Sequence, residues 1–244
     1  MPDGCPADVR EYVARVRAAL KPFIERFPAW ERDQHLPSEF FAALGDADLL
    51  RDRWRQGAAD GHYLSRALLE ELAPLNAGAA LALSIHSEVF IHALARFGGD
   101  GHRDLLEDAL AGRAVGCFAA TEAGGGSDLP GLKATATQAG DSWQLRAEKR
   151  FITNVGRGTH VLVLANAVTG RRGACLFCVP LDHPGVVIRG FYETLGMRSA
   201  DTAALSIDTV LTPAHLVGRP GAGLLVTLTL LDFERLAAAA ALLA

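Results

Sequence analysis

The sequence predicts an α+β multidomain chain: an N-terminal all-α helical domain, a middle antiparallel β barrel or sandwich, and the start of a truncated C-terminal helical domain. Two observations predict it. Apolar residues recur at steps of three and four as far as about Ala114, alternate after Val115, and return to helical spacing from about Gly221. The order is thus helical, β, helical, which excludes the strand–helix alternation of a doubly wound nucleotide-binding sheet. The implied boundaries are 1–114, 115–220 and 221–244. Composition agrees with a folded chain: half of the 244 residues are hydrophobic and 21% are charged, outside the range of disordered proteins. A net charge of −4 gives no overall pull toward nucleic acid or anionic lipid.

Val9, Val13, Val16, Leu20 and Phe23 mark one face of a first amphipathic helix, ended by Pro28 and the polar stretch after Trp30. Pro37 suits the first turn of a short helix carrying Phe40, Phe41 and Leu44. Residues 57–61 read as a loop, and a further helix runs from about 63 to 72. Residues 77–97 are apolar nearly all round, the pattern of a centrally buried helix. Gly98 and Gly99 supply a left-handed stop, and one more helix spans 102–110, ended by Gly112.

In the middle region, residues 133–138 alternate, Gly140 and Asp141 make a turn, and Trp143, Leu145 and Ala147 alternate again, a hairpin signal. Further strands are expected at 160–167, 174–180, 186–191 and 203–210. The last stretch carries Leu224, Leu225, Leu228, Leu231 and Leu236 on a helix without a polar face. Such a helix must bury itself on this chain or on another, so a homo- or hetero-oligomer is expected.

The four cysteines, Cys5, Cys117, Cys175 and Cys178, do not make a disulfide framework. The N-terminus lacks the basic start and apolar core of a secretory signal. No uninterrupted apolar run reaches the ~18 residues of a membrane span. A cytoplasmic protein with no membrane or nucleic-acid partner is expected.

The most informative stretch is Cys117-Phe118-Ala119-Ala120-Thr121-Glu122-Ala123-Gly124-Gly125-Gly126-Ser127-Asp128. A short apolar strand leads into Thr-Glu, three glycines, then Ser-Asp. Glycines let backbone amides approach an anionic or planar ligand closely, and the flanking hydroxyls can donate hydrogen bonds. Taken alone, the same composition fits an ordinary turn. Three other blocks stand beside it: Lys149-Arg150-Phe151-Ile152-Thr153-Asn154, Gly196-Met197-Arg198-Ser199-Ala200-Asp201-Thr202, and Leu231-Asp232-Phe233-Glu234-Arg235-Leu236. Together these resemble, in order and at similar separations, the signature blocks of the acyl-CoA dehydrogenase family. Trp30-Glu31-Arg32 and Leu69-Glu70-Glu71-Leu72-Ala73 fit that family's N-terminal domain. The resemblance covers nearly the whole chain, and four ordered blocks are far more specific than one.

The resemblance implies an FAD enzyme that oxidises the α,β carbon–carbon bond of an acyl thioester. A carboxylate removes the α-proton while the β-hydrogen leaves as hydride to flavin N5. It implies that Phe118, Ala120 and Thr121 contact the pyrimidine side of the isoalloxazine, that Ser127 bonds the pyrophosphate, that Phe151 packs against the ring and that Thr153 reaches N5. Without the resemblance, Phe151 reads as a sheet-core aromatic and both threonines as strand formers. Glu234 stands where a minority of the family carries the catalytic base; its other reading is an acid complementing a helix N-terminus. Asp232 and Arg235 match positions that contact the thioester carrier, or form a solvated pair on a helix face. The expected partners are an acyl-CoA or acyl-carrier-protein thioester and an electron-accepting flavoprotein. A partner subunit inactive alone, and a flavin monooxygenase on the same scaffold, are the competing readings.

Three departures from the family pattern stand out. Ala123 replaces a proline, Ala200 replaces a serine and so removes a possible hydrogen bond to the carrier, and most of the C-terminal bundle is not represented. A chain so arranged carries about half of a cofactor site. Other signals point to no chemistry. Cys175-Leu176-Phe177-Cys178 has no second ligand pair for zinc, and strand alternation sends its sulfurs to opposite faces. His86, His92 and His102 are expected to face solvent or a polar pocket, and Arg51-Asp52-Arg53-Trp54-Arg55 a solvated loop.

Overall fold

The structure, a computed structural model, describes residues 7–55, 61–168 and 173–242. Cys5 and residues 57–60 of the expected loop lie outside them.

The first part is helical: α1 (Ala7–Leu20), α2 (Phe27–Arg32), α3 (Ser38–Asp46), α4 (Leu49–Arg55), α5 (His62–Leu72), α6 (Ala77–Phe97) and α7 (Arg103–Leu110). The expected first helix stops at Leu20, earlier than its apolar spacing suggested. Pro22 forces a 3-10 turn over Lys21–Phe23, and Pro28, at the first turn of α2, starts a helix where a stop was expected. The Arg51–Arg55 run is helix α4, not a loop. Gly98 and Gly99 have negative φ (−67° and −91°), so no left-handed cap forms. Gly98 is required by space instead: a Cβ there would lie 2.4 Å from the Leu94 carbonyl oxygen.

Helix α6 has a mean hydropathy of 1.4 and is long and apolar enough to cross a bilayer, yet 83% of that stretch is buried in the core. Its middle, Ile85–Ile91, is π-helical, a local widening that recurs at functional sites.

The strands are β1 (Gly116–Ala119), β2 (Thr135–Ala139), β3 (Ser142–Ile152), β4 (His160–Ala167), β5 (Gly173–Pro180), β6 (Val186–Phe191), β7 (Ala203–Leu211) and β8 (Leu216–Val217). They form one sheet in the order β6-β7-β3-β2-β4-β5-β8, with β1 also on β4. The domain is largely antiparallel, as expected, but the sheet is mixed: β1 and β2 both pair with β4 in parallel. β1 takes Gly116–Ala119 against the first half of β4 and β2 takes its end, so neither is joined to β4 by a hairpin.

β4 and β5 explain why those segments are apolar without alternation. Leu162, Leu164, Leu176 and Cys178 face the helical core, while Val161, Val163, Cys175 and Phe177 face a second core inside the β domain. Both faces of this hairpin are buried. The two sulfurs of the Cys-x-x-Cys do point to opposite sides, one into each core. Helix α8 (Gly223–Leu242) lies on the helical side, burying Val226, Leu230, Ala237 and Ala240.

Candidate active site

The glycine-rich loop leaves β1 and folds on itself. Glu122 and Gly125 exchange backbone hydrogen bonds at 3.1 and 3.2 Å. Gly125 has φ +153°, a conformation that side chains with a Cβ rarely adopt. A Cβ at Gly124 or Gly125 would meet no atom within 4 Å, so the loop's backbone is open on one side. At Gly126 a Cβ would lie 3.3 Å from Thr121 Oγ1, which places the loop's end against that threonine.

A second segment runs beside it. β3 bulges between Lys149 and Ile152, and Phe151 takes a left-handed φ of +56°. A bulge of this kind re-aims side chains at a strand end. The Arg150 N–H donates to the Thr121 carbonyl at 2.9 Å, and Lys149 Nζ donates to the Ala120 carbonyl at 3.1 Å. The structure therefore brings 118–121 and 150–153 together along one edge.

The brace under this edge is Glu122, whose chemistry the sequence motif did not disclose. Its buried carboxylate accepts from Lys149 Nζ (2.8 Å) and from the N–H groups of Lys133 (2.6 Å) and Ala134 (3.0 Å). Burial pushes its pKa up, but Lys149 and the two amides outweigh this and hold it below the ordinary carboxylate range. The Thr-Glu pair and the block's lysine were the available signal.

Along this edge the side chains have spare capacity. Phe118 is partly buried and Ala120 buried against the helical core. Among the described residues, none hydrogen-bonds to the hydroxyls of Thr121, Ser127 or Thr153, although Thr153 is only 9% exposed. Phe151 is 58% exposed and stacks on Tyr192, ring centroids 4.6 Å apart and planes 30° apart. It is therefore not a sheet-core aromatic. An exposed ring, uncommitted neutral donors and an open glycine backbone fit a flat heteroaromatic group with a pyrophosphate attached.

Glu234 lies on α8 at a cavity of about 150 Å³ walled by α5, α6 and α8. Burial pushes its carboxyl above the ordinary range, against the pull of Arg235 and the adjacent Ser84 hydroxyl; the Glu88 carboxylate adds to the rise. Asp232 and Arg235 are exposed and 3.6 Å apart one turn along the helix, the arrangement of a surface pair.

Other residues do structural work that the sequence did not reveal. Arg53 is 1% exposed; its Nη2 lies 2.8 Å from Glu88 Oε2 and its Nε 2.7 Å from Ser65 Oγ. His86, His92 and His102 are buried and do not face solvent; His86 lies between two backbone polar groups. Position 200 is also fully buried, so a serine there could not reach a carrier. Its neighbour Ser199 and the Arg198 amide bind the Glu31 carboxylate of the N-terminal domain.

Known proteins share this architecture. The family models for the N-terminal and middle domains of acyl-CoA dehydrogenase match residues 6–113 and 117–210. The chain belongs to the acyl-CoA dehydrogenase family. It is 28% identical to the mitochondrial short-chain specific acyl-CoA dehydrogenase of Mus musculus, over 84% of this chain and 52% of that protein. It is 30% identical to an acyl-(acyl-carrier-protein) dehydrogenase, MbtN, of Mycolicibacterium paratuberculosis, over 96% of this chain and 61% of that one. A Mycobacterium smegmatis glutaryl-CoA dehydrogenase solved in complex with FADH2 superposes with a TM-score of 0.83 at 25% identity, covering 95% of this chain and 60% of that chain. The chain thus spans between about half and three fifths of the length of these curated relatives.

Proposed function

We propose that this chain contributes the helical and β portions of an FAD-dependent dehydrogenase that desaturates an acyl thioester at its α,β bond. The observation that carries the reading is the shared edge of the glycine loop and the end of β3, with three uncommitted hydroxyls beside an exposed, left-handed Phe151. Phe118, Ala120 and Thr121 would hold the pyrimidine side of the flavin, Ser127 its pyrophosphate, and Phe151 and Thr153 the face and edge of the ring. When bound, FAD supplies a hydride acceptor for the β-hydrogen. Glu234 would take the α-proton, its raised pKa making it a stronger base than an exposed glutamate. The side chains around it, such as Leu69, Leu81 and Ala238, are mostly apolar and suit an acyl chain.

The carrier is coenzyme A or an acyl-carrier protein. The second is favoured by relatives named as acyl-carrier-protein dehydrogenases, which match 90–96% of this chain. Asp232 and Arg235, exposed on α8, are available to that carrier. A flavoprotein is the proposed electron acceptor.

Titration of the chain with FAD, followed by flavin fluorescence, tests the cofactor assignment. With about half of the cofactor site present, at most weak quenching is expected, and tight stoichiometric binding refutes the half-site reading. In an assembly that binds FAD, Phe151→Ala should weaken binding about tenfold by loss of aromatic stacking, and unchanged binding refutes the placement of the ring on Phe151. In an active preparation, Glu234→Gln should abolish flavin bleaching by substrate; normal bleaching moves the base elsewhere.

A further inference from the structure

Resting on the flavin reading above, we infer that Tyr192 is a positioning residue for the cofactor: it holds the Phe151 ring in the pose that receives the isoalloxazine. Tyr192 stands outside all four signature blocks of the sequence.

Phe151 needs such a support. It sits in the bulge of β3 at φ +56°, a conformation that residues with a Cβ adopt rarely. It belongs to neither hydrophobic core and is 58% exposed, so packing from beneath does not lock its side chain. Among the described residues, the aromatic ring stacked on it is that of Tyr192. One face of the Phe151 ring is thus covered, and its exposure leaves the other face open.

Tyr192 is itself anchored. It is partly buried, and its N–H donates to the Thr202 carbonyl at 2.8 Å, one residue before β7 begins. β7 lies between β6 and β3, and Ala203 pairs with Phe191 on one side and Ile152 on the other. Tyr192 follows Phe191 and Phe151 precedes Ile152, so the two aromatics flank one row of the sheet and reach each other across β7. The Tyr192 hydroxyl makes no hydrogen bond among the described residues, so the ring is the part that works. A free, exposed side chain gives up rotamer freedom when a ligand settles on it, whereas one already held by a neighbour does not. Tyr192 therefore supplies preorganisation to a contact that Phe151 makes.

The test is titration of the chain with flavin mononucleotide, which carries the ring and one phosphate without the adenylate half of FAD. The readout is NMR of the Phe151 ring resonances in protein with labelled phenylalanine, together with urea unfolding. Flavin mononucleotide should shift those resonances in the unmodified chain. Tyr192→Phe keeps the stack and should bind as the unmodified chain does. Tyr192→Leu removes the stack and should weaken binding about three- to tenfold. In that variant the Phe151 resonances should also lose the ring-current displacement of a stacked neighbour. Unchanged affinity in Tyr192→Leu overturns the inference, whether or not the urea midpoint falls, because the stack then serves the strand end alone. Equal weakening in both variants overturns it too, by assigning the effect to the hydroxyl. No response of Phe151 to millimolar flavin mononucleotide in the unmodified chain is a different failure: it overturns the placement of the flavin ring on Phe151.

Discussion

Residues 150–157 pass within eight positions from one kind of polar environment to its opposite. At the near end, beside the strand that leads into the glycine loop, Phe151 presents an exposed ring and Thr153 a hydroxyl with no partner among the described residues. At the far end, Asn154 Nδ2 donates to the carbonyls of Ala82 (2.8 Å) and Gly116 (3.0 Å), and Arg157 donates to Asn154 Oδ1, the Ser199 carbonyl and Asp201 Oδ2, each at 2.6 Å. That junction ties the helical domain to the sheet and directs its bonds inward, with Arg157 Nε also donating to the Leu36 carbonyl. Polar groups whose hydrogen bonds are all internal serve architecture; those held in place at an open edge with bonds unmade are the candidates for meeting a ligand. Chemical type alone does not separate the two, since Thr153 and Asn154 are adjacent.

The largest effect that would break this contrast lies at the junction. Burial pushes Arg157 down to about 10 and Asp201 up, yet the two stay paired. Arg157→Ala should cost about 3–5 kcal/mol, because Asp201 is left buried without its main partner. Urea unfolding measures this; a loss below about 1 kcal/mol would mean that the junction is not a structural fixture.

Acid offers the next test. His86 donates from Nε2 to the Ala109 carbonyl (3.1 Å) and accepts the Gly116 N–H at Nδ1 (3.2 Å), so only the neutral ring fits, and Gly116 begins β1. Burial pushes the pKa of His86, and separately that of His92, down to about 4. Because the unfolded chain takes up these protons near pH 6.5, the stabilisation is complete above that value and is lost as pH falls toward 4. The loss should reach about 3 kcal/mol per imidazole. Stability measured from pH 8 to 4 should therefore decline below 6.5, and a flat profile would show these rings to be more accessible than their surroundings indicate.

The smallest expected effect is at the open edge and sharpens the comparison most. Thr153→Val removes a hydroxyl with no internal partner and should change stability by less than about 0.5 kcal/mol. FAD binding should weaken severalfold in the same variant. A large stability loss would place Thr153 with Asn154 on the architectural side.

The element order and most strands could be read from hydrophobic period, because that period is imposed locally by the backbone. The β4–β5 hairpin was legible for the same reason, its unbroken apolar runs answering to burial on both faces. The parallel pairing of β1 and β2 with β4 was not, since register between distant strands leaves no local trace. Neither was α4: the run 51–55 within it, five residues with three arginines, resembles a solvated loop until Glu88, 35 positions after Arg53, supplies a buried partner for that arginine. The one carboxylate of α6, Glu88, was the available clue. At the candidate site, the residues proposed to meet the cofactor were singled out by their motif, whereas the roles of Glu122 and Lys149, which hold the loop from beneath, required coordinates.

The β4–β5 hairpin carries one further implication. A ribbon that lends alternate side chains to two interiors is a party wall: neither room can be emptied without exposing the other. The helical and β portions should therefore melt in a single transition rather than as separable modules, and a substitution at Cys175 or Cys178 should disturb the packing on the side it does not face through the backbone they share.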